Sequence, residues 1–185
     1  MNKRGIFGRR YQSDKVIIEV STVEEWARAI ASEFGVHVTK ICICKDDPPD
    51  CIATVSGKQI SIELAELVDS NRGLECAKAV ETGNQPPHHQ GTGFEKTQWS
   101  KERFFRELNS LIDKKNLKYE KNKLVFDVLL IHTDEPWLSP QQAKSWLSES
   151  KIEPKSSFRS VYLLMTYQLG YANHWPVFLL FSNKP

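Results

Sequence analysis

Residues 124–131, Leu-Val-Phe-Asp-Val-Leu-Leu-Ile, form an almost unbroken apolar run in which only Asp127 is polar. A strand of this kind lacks the alternation of a half-wetted surface, so it needs cover on both faces. That condition points to a central sheet sandwiched between helices, an α/β arrangement. The chain has the material for it: 185 residues, 40% hydrophobic and 26% charged, suit one domain with a sizeable core. No apolar stretch approaches the roughly 18 residues needed to span a bilayer. The N-terminal MNKRGIFGRRYQSDK has the positive start of a secretory signal without the apolar segment that should follow. The expected setting is cytoplasmic, with no membrane partner.

The remaining pattern supplies strands and helices around that run. Val16 to Val20 reads as a short strand. Thr22 with Glu25 three residues on resembles a capping box opening a helix over 23–34, with Trp26, Ile30 and Phe34 on one face and Gly35 as its stop. Val36 to Lys45 is β-rich, and Asp46-Asp47-Pro48-Pro49 must break it, because proline cannot donate to a ladder. Cys51 to Val55 and Gln59 to Leu64 read as a hairpin about Ser56-Gly57-Lys58. A helix is expected over 66–81, a long Gly, Pro, Gln and His loop over 82–99, and a helix from Ser100 to about Lys118. That helix buries Phe104, Leu108, Leu111 and Ile112. After the central strand come a short helix started by Ser139-Pro140 and strands over 161–167 and 177–181. The expected organisation is a basic tail, 1–15, and one α/β domain, 16–185, with a mixed sheet and helices on both faces.

A net charge of +2 hides an uneven distribution. Residues 1–15 carry +4, residues 16–94 carry −6, residues 95–123 carry +4, and the remainder balances. An acidic centre between basic segments suits a metal site that handles a polyanion, although chance alternation of surface charge gives the same pattern. Cys42, Cys44, Cys51 and Cys76 show no C-x-x-C spacing, so neither zinc nor a disulfide framework is expected. They read as small buried apolar groups in a reducing compartment.

The chemistry concentrates between Asp50 and Glu66. Asp50 enters the first strand of the hairpin and Glu63 nears the end of the returning one, so the two carboxylates should be neighbours. Glu63 is anomalous among Ile60, Ile62 and Leu64: an acid there must be solvated, paired or bound to a cation. Two hard oxygen donors at a sheet end suit Mg²⁺ or Mn²⁺, with phosphate oxygens and water completing the shell.

Pro49-Asp50 at the mouth of one strand and Glu63 on the next resemble the PD-(D/E)XK nuclease superfamily, and the helix, three strands, helix, strand order over residues 22–132 resembles its restriction-endonuclease-like core. The resemblance implies Mg²⁺-dependent hydrolysis of DNA phosphodiesters with Asp50 and Glu63 as catalytic metal ligands, and frequent homodimers. It also implies a lysine two residues after Glu63, where this chain has Ala65. Relatives draw that cation from a following helix, so Lys115 and Lys78 are the catalytic candidates, with Lys114, Lys118, Arg72, Arg9 and Arg10 as phosphate contacts. Lys114, Lys115 and Lys118 also suit a helix C-terminus for dipole reasons alone. Glu66 and Glu25 are the further metal-ligand candidates, though Glu25 is equally explained by capping. If no cation reaches the acids, the alternative is an inactive binding or regulatory module.

Elsewhere the sequence favours structure over chemistry. His132-Thr133-Asp134-Glu135-Pro136-Trp137 reads as a surface turn ended by proline, with Trp137 packing back on the core. No serine or cysteine stands in a nucleophile-elbow setting, and no G-x-x-x-x-G-K loop occurs. Tyr162, Tyr167, Tyr171, Trp175 and Phe178 suit core packing better than base stacking.

Overall fold

Strand β4 (Phe126–Thr133) lies inside a six-stranded sheet, as its apolar run requires; the computed structural model describes residues 12–45, 48–69, 99–135 and 137–183. The chain order is α1 (Gln12–Phe34), β1 (Val38–Ile43), β2 (Cys51–Val55), β3 (Lys58–Glu66), α2 (Lys101–Glu120), β4, α3 (Pro140–Glu149), β5 (Phe158–Met165) and β6 (Val177–Ser182). The strands lie side by side in sequence order. β1, β2 and β3 run antiparallel, β3, β4 and β5 parallel, and β6 antiparallel to β5. This is an α/β domain with a mixed sheet and three helices among the described residues.

The parallel steps dictate where the helices go. β3 to β4 crosses through α2, and β4 to β5 crosses through α3. Both crossovers move the same way along the sheet, so the shared right-handed preference puts both helices on one face. Phe104, Leu108 and Ile112 of α2 and Ala143 of α3 pack there against Ala65, Leu129, Ile131, Val161 and Leu163. The other face is left for α1, whose Val23, Trp26 and Ile30 meet Ala53, Ile62, Leu64, Val128 and Leu130. Each fully buried side chain of this size contributes about 1.5–3 kcal/mol relative to exposure.

Three local differences from the sequence expectation have physical causes. α1 begins at Gln12, so it takes in the end of the expected tail and residues 16–20, read above as a strand. β-branched residues favour strands only weakly, and packing overrides them. Thr22 is accordingly no cap: mid-helix, its hydroxyl donates to the Ile18 carbonyl at 2.7 Å. Second, the hairpin turn is the two residues Ser56 and Gly57, with φ of +49° and +78°, the both-positive geometry that matches strand twist. Third, Glu66 still belongs to β3 and residues 67–69 are irregular, while the rest of the helix expected over 66–81 lies outside the described residues. The expected starts at Ser100 and Ser139 hold, each hydroxyl accepting the N–H of the third helical residue. No helix among the described residues is long and apolar enough to cross a membrane.

Candidate active site

β2 begins at Cys51, whose partner on β3 is Ile62, so β3 outruns β2 and leaves Leu64 without a ladder partner on that side. Two side chains fill the gap. The Leu64 N–H donates to Asp50 Oδ2 at 2.8 Å, and the Leu64 carbonyl accepts from Lys115 Nζ at 2.8 Å. The same Lys115 ammonium lies 2.6 Å from Glu63 Oε1. Asp50, Glu63 and Lys115 are thus gathered about one residue of β3, although they are distant in sequence.

Strand alternation directs Glu63 toward α2, on the same side as Ala65 and Leu67. It is 2% exposed. On α2, Lys115 and Tyr119 are four residues apart and share a face with Leu108 and Ile112. The Tyr119 hydroxyl donates to Glu63 Oε1 alongside Lys115, and Lys118 Nζ donates to that hydroxyl at 3.0 Å. Glu63 Oε2, also buried, has no hydrogen-bond partner among the described residues. A charged oxygen buried without a donor is costly unless something cationic approaches it.

The opposite flank comes from α1. Lys15 Nζ lies 3.7 Å from Asp50 Oδ1 and 3.4 Å from Glu19 Oε1. Glu19 is buried, yet it escaped sequence reading. Its spacing to Val23, Trp26 and Ile30 places it on the apolar face of α1, and that misplaced charge was the available signal. Lys115 and Tyr119 extend the buried stripe of α2 in the same way.

Cys51 reports on this field. Its thiol is fully buried and pushed up to about 12, first by burial, then by the negative charges of Glu19 and Asp50. Cys42 is exposed and Cys44 half-buried, so only Cys51 of these three matches the expectation of buried thiols. Iodoacetamide at pH 8 should label Cys42 in the native chain and leave Cys51 untouched until denaturant is added. Peptide mass spectrometry reads the result; rapid native labelling of Cys51 would contradict the burial of this strand.

The other expected site residues separate. Glu25 is taken up by Arg28, at 2.6 Å, and lies six residues along α1 from Glu19, about 9 Å of helix rise. Glu66 ends β3 half-buried, beside His132 in the parallel register. Lys114 is exposed on α2. Arg9, Arg10, Arg72 and Lys78 lie outside the described residues. Trp137 packs on the core as expected, but residues 132–135 are not a simple surface turn: Thr133 and Glu135 are buried. Glu135 Oε1 accepts the Asp69 N–H at 3.0 Å, Thr133 donates to the Leu67 carbonyl at 2.8 Å, and Asp69 pairs with Arg103. This cluster ties the end of β3 to α2 and satisfies backbone groups. Among the C-terminal aromatics, Tyr162 and Trp175 pack on the α1 side and Phe178 on the other, while Tyr167 is exposed.

Among the described residues no three His, Cys, Asp or Glu side chains gather as a metal-binding group. Mg²⁺ does not require that number, since it commonly takes one or two carboxylates and keeps its water. No protein-family model, curated protein or solved structure matches the chain.

Proposed function

We propose that this chain is a divalent-metal-dependent nuclease-like protein that hydrolyses DNA phosphodiesters, with Asp50, Glu63 and Lys115 as its working residues. The observation that carries the reading is the contact between Lys115 and Glu63. The lysine expected after Glu63 is Ala65, and α2 delivers an ammonium group to the same carboxylate, 2.6 Å away. Among the described residues, the order α1, β1, β2, β3, α2, β4 is in keeping with the restriction-endonuclease-like core that the sequence resembles.

The residues present fit a small hard cation. Glu63 Oε2 is buried without a donor among the described residues, and Asp50, held by the Leu64 N–H, has Oδ1 3.7 Å from Lys15. Asp50 and Glu63 would hold Mg²⁺ or Mn²⁺, which supplies Lewis acidity and lowers the pKa of a bound water. The chain's own groups do the rest. Lys115 stands at the carboxylate where it can orient a nucleophilic water or offset charge growing on a phosphate. Lys114 and Lys118 are exposed on the same helix and suit backbone phosphates. On α1, Glu19 shares Lys15 with Asp50, whereas Glu25 is paired with Arg28.

A second reading has one observation in its favour. With Ala65 in place of lysine, the Lys115–Glu63 pair also suits a purely internal ion pair of a non-catalytic DNA-binding or regulatory module. Plasmid nicking separates the two. With Mg²⁺ or Mn²⁺ the intact chain should convert supercoiled plasmid to open circles, and Asp50→Ala should not. Salt-dependent DNA binding without nicking would establish the second reading instead, and equal nicking by both proteins would sink the first.

A further inference from the structure

Glu63 presents two oxygens in unequal surroundings. Oε1 accepts from both Lys115 and the Tyr119 hydroxyl, whereas Oε2, equally buried, accepts from neither. The Tyr119 ring is 1% exposed and held edge-on against Phe126, at 4.7 Å and 73°, and against Phe158, at 6.2 Å and 90°. Its hydroxyl therefore has little freedom to swing away. Lys118 Nζ, 3.0 Å from the phenolic oxygen, can only donate, which commits the phenol proton to Glu63.

We propose that Tyr119 is a positioning residue: it fixes the Glu63 carboxylate through Oε1 and so reserves Oε2 for a divalent cation. This rests on the metal reading above. With Lys115 alone as donor the carboxylate could rotate about its terminal torsion, which is soft. A second donor on the same oxygen removes that freedom. Partners that orient a metal-binding carboxylate in this way are typically worth 10–100-fold in metal affinity.

The test is calorimetric titration of Mn²⁺ into the full-length chain without nucleic acid, comparing wild type, Tyr119→Phe and Phe104→Leu. Tyr119→Phe deletes one oxygen from a ring that stays packed, so it should melt cooperatively yet bind Mn²⁺ at least about 10-fold more weakly. Phe104→Leu loosens core packing against Phe105 and Trp146, fifteen residues along α2 from Tyr119, and leaves the ring and its hydroxyl in place. It should lower the melting temperature and leave Mn²⁺ affinity as it was, an outcome that a merely structural role for Tyr119 would not give. Wild-type affinity in Tyr119→Phe, or tighter binding, overturns the role of Tyr119 and leaves the metal site standing. A wild-type chain that takes up no Mn²⁺ overturns the metal reading, and this role with it.

Discussion

Lys115→Met should destabilise the fold by about 3–5 kcal/mol, because it strips a buried carboxylate of its ammonium partner. The Glu63 side chain is 3% exposed and the Lys115 side chain 22%, so water cannot replace the lost charge easily. Methionine keeps most of the apolar stem, which confines the loss to the charged head. The Leu64 carbonyl loses a donor in the same step. Urea unfolding of both proteins at neutral pH reads the change as a drop in midpoint at constant slope. A loss below about 1 kcal/mol, the range of a solvated surface pair, would contradict the buried pair. Lys115→Met combined with Glu63→Leu should recover most of the stability, since an apolar pair of similar size tolerates burial better than a lone charge.

Glu63→Gln should reduce metal-dependent cleavage by about 10³-fold or more, because the loss of a direct ligand exceeds the 10–100-fold typical of an outer partner. The substitution is informative because of how the two oxygens are used. A glutamine carbonyl can stay at the Oε1 position and accept from Lys115 and Tyr119, so the fold keeps both bonds. Its amide then occupies the Oε2 position and presents hydrogen-bond donors to an approaching cation. Single-turnover cleavage at saturating Mn²⁺ measures the effect. A variant within about 10-fold of wild type, less than an outer-shell loss usually costs, would remove Glu63 from the chemistry.

The sheet was legible because its signals are local and strong. The apolar run of β4, the Ser-Gly turn before β3 and the serine caps of α2 and α3 each act over a few residues. The start of α1 was not, because Val16, Ile17 and Ile18 carry strand propensity while the neighbouring phase from Glu19 to Ile30 demands a helix. Hairpin geometry pointed Asp50 at the end of β3, where it accepts the Leu64 N–H, and the resemblance directed attention to a following helix, where Lys115 meets Glu63. Glu19, Lys15 and Tyr119 were not singled out. Each acts through a contact distant in sequence: Tyr119 meets Glu63 across 56 positions, and Lys15 meets Asp50 from another element. For Glu19 and Tyr119 the trace in the sequence was a polar group in phase with an apolar helical stripe. Glu135 was misjudged for a related reason: the chain carries it inward to cap the Asp69 N–H, a demand of the fold rather than of the turn.

We propose that Asp50 and Glu63 form a cation site that engages the buried Glu63 Oε2. Calorimetric titration of Mn²⁺ into wild type and Glu63→Gln tests it without dependence on any substrate. The expected result is saturable uptake by the wild-type chain and no measurable uptake by Glu63→Gln, with both proteins melting cooperatively. Equal uptake by the two proteins, or none by wild type, would contradict it.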